Sequence, residues 1–141
     1  RDTGMSLVLI IEDEPATAAP VKEALEIEGI QADIAGSGNA GLEMFREKAY
    51  DLILLDLKLP GLSGEEVLNS IRKENPFVTV IVYTNYSDFA DIKKLTNIGI
   101  DGYINKGPEA DLDELIDMIK SKLAPIDGDA IDVLFREFPN E

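Results

Sequence analysis

There is no cysteine and no histidine in this chain of 141 residues. The first absence removes disulfide frameworks, thiolate metal sites and cysteine nucleophiles. The second removes the commonest general base and the commonest transition-metal ligand. Basic residues are scarce: 13 Lys and Arg stand against 28 Asp and Glu, for a formal net charge of −15. That field opposes a nucleic-acid backbone, so direct binding of DNA or RNA by this chain is not expected. No apolar run approaches the length of a bilayer span and no secretory signal is visible, so no membrane role is expected. With no disulfide to form, a cytoplasmic setting is the expectation.

What is present is one domain's worth of core. The chain is 45% hydrophobic and 29% charged, an ordinary balance for a globular protein. The leading RDTG ahead of Met5 is read as an added remnant, 5–124 as the domain and 125–141 as a tail. Short apolar runs alternate with amphipathic segments. LVLII (7–11) has the continuous apolarity of a strand buried on both faces. A helix near 15–28 follows, carrying Val21, Ala24 and Leu25; Pro15 suits its first turn, while the deeper Pro20 predicts a late start or a kink. QADIA (31–35) reads as a weaker, edge-like strand, and 39–48 as a second helix. DLILLD (51–56) is a buried strand. Ser63 and Glu66 then have capping-box spacing ahead of Val67, Leu68 and Ile71, and Asn75-Pro76 ends that helix. VTVIVYT (78–84), the most β-branched run, reads as a central strand. A helix near 88–97 ends at Gly99, and GYINK (102–106) is a short fifth strand. Leu112, Leu115, Ile116, Ile119 and Leu123 fall on one face of a fifth helix. Five alternating βα units predict a parallel sheet with helices on both faces. Ligands of such sheets sit beyond the carboxyl ends of the strands.

The residues at those ends form a set. Glu12 and Asp13 follow the first strand, Asp56 ends the third, Thr84 ends the fourth and Lys106 ends the fifth. Singly, each is an ordinary cap or solvated residue; together, on different strands at one rim, they define a shared site. Crowded carboxylates repel unless a cation joins them, and oxygen-only ligands select a hard cation, magnesium above all. Asp56 is then the candidate nucleophile. Lys106 and Thr84 are placed to stabilise charge on a phosphoryl group.

Glu12-Asp13, DLILLD with Asp56, the loop Pro60-Gly61…Gly64, Thr84 and Tyr103-x-x-Lys106 together resemble the receiver domain of two-component response regulators, from about Ser6 to Leu123. The resemblance implies a flavodoxin-like, doubly wound five-stranded parallel sheet of order 2-1-3-4-5 with five helices. It implies that Asp56 is the phosphoacceptor, and that Glu12, Asp13, Asp56 and the backbone carbonyl of Lys58 hold Mg2+. Thr84 and Tyr103 become a switch pair, and Lys106 the partner of the phosphoryl group. The implied donor is a histidine kinase, a phosphotransfer protein or a small acyl phosphate, and the output runs through a downstream protein. Two departures stand out. Asn85 occupies a position where the family usually has a very small residue, and Gly107 intervenes before Pro108 where the family commonly has proline. Lys58, Asn85 and Tyr86 flank the acceptor and are expected to tune the lifetime of its phosphoryl group.

Beyond Leu123, Ile131, Leu134, Phe135 and Phe138 predict a short amphipathic helix after the break at Pro125 and Gly128. It is expected to fold back on its own domain or to dock on a partner or second copy in a homodimer. The chain is therefore expected to be a single-domain regulator or a receiver from a longer protein.

Other readings fit less well. A haloacid dehalogenase-type phosphatase needs a second acid two residues after the nucleophile, where this chain has Lys58. A flavodoxin-like electron carrier needs a hydroxyl- and glycine-rich loop after the first strand, where EDEPATAA would repel a phosphate. A receiver-like docking module that is never phosphorylated would not need the intact acid set. Finally, GSGNAG (36–41) matches the dinucleotide fingerprint G-x-G-x-x-G. It follows the weakest strand, however, and would leave Glu12, Asp13, Thr84 and Lys106 without a role. Its glycines are read as turning the chain and Ser37 or Asn39 as a helix cap.

Overall fold

The computed structural model describes residues 6–84, 89–106 and 112–124, with no side-chain account of 89–91. Its elements are β1 (Leu7–Ile11), α1 (Pro15–Ile27), β2 (Gln31–Ala35), α2 (Gly38–Glu47), β3 (Leu52–Leu55), α3 (Gly64–Glu74), β4 (Thr79–Thr84), α4 (Phe89–Ile98), β5 (Gly102–Asn105) and α5 (Leu112–Leu123). The strands pair in parallel in the order β2-β1-β3-β4-β5. The expected sheet order and alternation of strands and helices are both present. The tail helix, Asn85, Tyr86, Gly107 and Pro108 lie outside the described residues.

Alternation along the strands sorts the core into two layers. Val8, Ile10, Leu52, Leu54, Ile81 and Tyr83 pack toward α1 and α5. Leu9, Ile11, Ile53, Leu55 and Val80 pack toward α2, α3 and α4. The inner strands are apolar on both sides because both sides are covered. Each fully buried leucine or isoleucine contributes about 1.5–3 kcal/mol.

Local signals decide where the elements begin. Ser63 Oγ accepts from the Glu66 amide at 3.2 Å while the Glu66 carboxylate accepts from the Ser63 amide at 2.9 Å, a complete capping box for α3. Ser37 Oγ accepts from Ala40 N at 3.1 Å and caps α2. None of the glycines of GSGNAG has a positive φ: Gly36 lies where the chain bends between β2 and α2, as expected, whereas Gly38 and Gly41 lie within α2. Gly41 lets α2 approach β1: a β-carbon there would lie 2.6 Å from Ile11 Cδ1. The first helix does not start late. It begins at Pro15 and carries Pro20 on its exposed face, where the carbonyl left without a helical donor can be solvated. The third strand is shorter than DLILLD: Asp51 lies before it, accepting from Leu7 N at 2.8 Å, and Asp56 lies after it.

Two polar features tie the ends together. Arg72 of α3 donates to the carbonyls of Gly99 (2.9 Å), Val78 (2.7 Å) and Asn75 (3.3 Å). Its remaining nitrogen meets Asp101 Oδ2 at 3.3 Å, an oxygen that also accepts from Val80 N. At the opposite edge β2 is a terminal strand. Its odd residues face β1, as Gln31 N→Ser6 O and Glu12 N→Ala35 O show. Ala32 therefore points outward, and its carbonyl accepts from the Lys22 ammonium.

Candidate phosphoacceptor site

Ile11 and Leu55 are paired neighbours at the ends of β1 and β3. The next residue of each strand, Glu12 and Asp56, therefore emerges side by side at the carboxyl edge of the sheet. The ladder continues one step beyond the strands and fixes both: Glu12 N donates to Ala35 O at 3.0 Å and Asp56 N to Ile11 O at 3.1 Å. On the other side of the sheet, Lys106 N donates to Thr84 O at 2.8 Å, placing Lys106 just past β5 and level with the end of β4.

Three carboxylates converge here. Oxygens of Glu12, Asp13 and Asp56 all lie within 4.8 Å of one another, with Glu12 and Asp56 buried and Asp13 exposed. The Lys106 ammonium bridges the two buried acids, 2.6 Å from Glu12 Oε1 and 3.1 Å from Asp56 Oδ2. The second oxygen of each is held by backbone: Glu14 N donates to Glu12 Oε2 and Lys58 N to Asp56 Oδ1, both at 3.2 Å. Burial pushes the Glu12 carboxyl above its ordinary range. The Lys106 hydrogen bond opposes that shift, and the Asp56 charge adds to it. For Lys106, burial works against the charged form. The Glu12 hydrogen bond and the charge of Asp56 outweigh it and raise the ammonium above its ordinary range.

The donor set fits a hard divalent cation. All ligands are carboxylate oxygens, one faces solvent as an entry point, and one ammonium against three carboxylates leaves two negative charges uncompensated. Thr84 is fully buried at the end of β4. Tyr103 is half-buried in β5, in register with Val82 on the neighbouring strand, and burial raises its phenol. The Lys58 side chain is exposed beside Asp56.

One neighbour of the site escaped sequence reasoning. The ring of Tyr83, immediately before Thr84, lies with its centroid 5.5 Å from the Lys106 ammonium. The signal was available: alternation along β4 puts Tyr83 on the opposite face from Thr84, and its partner across the sheet is Ile104, two residues before Lys106.

Comparison with known proteins agrees with this geometry. Residues 8–120 match the response regulator receiver domain family. The response regulator ArlR of Staphylococcus saprophyticus is 39% identical over 119 residues, covering 84% of this chain and 53% of that protein. A CheY-like receiver domain structure from Methanospirillum hungatei superposes with a TM-score of 0.80 at 32% identity, covering 85% of this chain and 94% of the other. The Thermotoga maritima response regulator TrrA, solved in complex with Mg2+ and BeF, gives a TM-score of 0.75 at 35% identity over 84% of this chain and all of that one. The chain spans about half the length of the curated relatives it matches. With the family matched over most of its length and the acid cluster at the expected edge of the sheet, the chain belongs to the response regulator receiver domain family.

Proposed function

We propose that Asp56 is the phosphoacceptor of this receiver, and that it accepts a phosphoryl group from a histidine kinase, a phosphotransfer protein or a small acyl phosphate. The observation that carries this reading is the Lys106 ammonium shared by two buried carboxylates beside the exposed Asp13. A purely structural ion pair needs one acid, not three, because a surplus of buried negative charge is costly without a cation.

Glu12, Asp13 and Asp56 would hold Mg2+, joined by the Lys58 backbone carbonyl. When bound, the ion supplies charge neutralisation for the phosphoryl oxygens. Asp56 contributes the nucleophile: a carboxylate oxygen bonds to phosphorus as the bond to the donor breaks, and the donor departs with the electron pair. Backbone donation from Lys58 N to Oδ1 and the Lys106 contact at Oδ2 fix the orientation of that carboxylate before reaction. Lys106 then stabilises charge on the transferred group, and the Thr84 hydroxyl donates to one of its oxygens. Movement of Thr84 toward the group leaves room for the Tyr103 ring to turn inward, which alters the surface offered to a downstream protein. The exposed Lys58 side chain beside the acceptor, with Asn85 and Tyr86, tunes hydrolysis.

The direct test is Asp56→Asn incubated with an acyl phosphate and Mg2+, followed by intact mass. Wild type gains one phosphoryl group and the variant none. Uptake by the variant at the wild-type rate and stoichiometry would sink the assignment.

A further inference from the structure

We infer that Tyr83 is a positioning residue for Lys106, holding the ammonium at the acceptor through the face of its aromatic ring. This rests on Asp56 being the phosphoacceptor. Glu12 and Asp56 take two of the three N–H donors of Lys106, and the ring, 5.5 Å away at its centroid, is its electron-rich third neighbour.

The ring is also a wall. On its inner side Tyr83 closes a tightly packed space with Glu12, Asp56, Ile10 and Leu54. On its outer side it floors a surface groove with Pro20 and Leu112. It is 9% exposed. The ammonium lies over the ring, so the ring rather than the phenol carries the interaction. An aliphatic side chain of similar size would exclude water from the ammonium equally well but would not attract it.

The consequence concerns what changes during the reaction. The two carboxylates that hold Lys106 are also the groups expected to take on a cation and a phosphoryl group, so both lose free charge as the site fills. The ring contact does not depend on the charge of Asp56. It is the one contact of the three that stays constant while Lys106 transfers its hydrogen bonds to the phosphoryl oxygens. Tyr83 thus keeps the ammonium from swinging out toward the groove at the moment its carboxylate partners are taken.

The test uses the full chain with Tyr83→Phe, Tyr83→Leu and Tyr83→Met, the last two also in a Lys106→Met background. Three quantities are read: the NMR shifts of the Lys106 ε-methylene protons, the initial rate of phosphoryl uptake from an acyl phosphate with Mg2+, and the thermal midpoint. Ring current moves the ε-methylene signals upfield in wild type and Tyr83→Phe, and the shift is lost in the Leu and Met variants. Uptake by Tyr83→Phe stays within about twofold of wild type, while the Leu and Met variants slow about fivefold. That loss disappears when Lys106 is already Met, which a merely structural role would not produce. Unshifted methylene signals in wild type overturn the inference, as does equal slowing in the Phe and Leu variants or a loss that persists without Lys106. A wild-type chain with shifted signals but no phosphoryl uptake overturns the Asp56 reading, and the positioning role falls with it. If Tyr83→Leu proves unfolded by its midpoint, Tyr83→Met, closer in length, decides.

Discussion

Gly64→Ala should damage both the fold and the site, and the reason lies in the backbone. A β-carbon at Gly64 would sit 2.4 Å from Leu57 Cα, 2.5 Å from Asp56 O and 3.0 Å from Leu57 O. Carbon atoms in contact need about 3.5 Å, so the loop and the start of α3 must separate by roughly 1 Å. None of the obstructing atoms belongs to a side chain that could rotate away. Gly64 N also donates to Leu57 O at 3.0 Å, a bond that the same movement strains. The expected loss is about 3 kcal/mol, the upper end for overpacking, or a melting midpoint lowered by roughly 10 °C. Function suffers separately. Asp56 Oδ2 lies 3.1 Å from Lys106, so a displacement of that size takes the pair beyond hydrogen-bond range. Misplacement of about 1 Å at a reacting group costs on the order of a hundredfold in rate. The control is Gly61→Ala in the same loop. Gly61 has a φ of 73° with nothing within 4 Å of the added methyl, so it bears only left-handed backbone strain of about 1–2 kcal/mol. It should take up phosphate nearly normally. Thermal unfolding and acyl-phosphate uptake measured on both variants decide the matter. If Gly64→Ala melts within a few degrees of wild type, or Gly61→Ala proves the more damaging, the reasoning is wrong.

Two further predictions concern the scaffold. Partial burial pulls the Asp33 carboxyl up, but the hydrogen bonds from Tyr50 (2.7 Å) and Lys48 (3.0 Å) outweigh it and leave the group below its ordinary range. A depressed carboxylate stabilises the fold above its unfolded value of about 3.9 and loses that contribution as pH falls through the folded value. Tyr50→Phe should therefore cost about 1–2 kcal/mol at pH 7 and progressively less below pH 4; urea midpoints at pH 7 and pH 3 that differ from wild type by the same amount would contradict this. Arg72→Lys should cost about 2–3 kcal/mol in urea unfolding, because one ammonium cannot replace a planar fork that reaches three carbonyls and Asp101; a loss confined to a few tenths would show that the fork is dispensable.

Much of this was readable because the relevant signals are local or periodic. The capping box at Ser63 and Glu66 needs only four residues in sequence, and both of its bonds are made. The acids at the strand ends were visible because parallel strands all deliver their carboxyl ends to one edge, so position along each strand sufficed. Boundaries were less legible. Pro20 suggested a late start because sequence does not say which face of α1 meets solvent, and the exposed face tolerates it. The glycines of GSGNAG read as turning the chain, which holds for Gly36 and not for Gly41, because a glycine required by a neighbour's bulk, here Ile11 against Gly41, looks the same in sequence as one that sits in a bend. Tyr83 went unnoticed because its partner Lys106 is distant in the chain, and only the pairing of β4 with β5 brings them together.

The Lys22 ammonium on the Ala32 carbonyl has a consequence for how copies of this protein behave when crowded together. An edge strand is an invitation to further strands, since its outward carbonyls and amides are a template for another chain. In β2 only Ala32 and Ile34 point outward, because Gln31, Asp33 and Ala35 face β1. Lys22 occupies one of those two carbonyls and brings a positive charge to the rim, supported by Glu26 at 2.8 Å. Accretion on that side is thereby opposed, because an incoming strand would first have to displace a charged side chain from an oxygen it already holds.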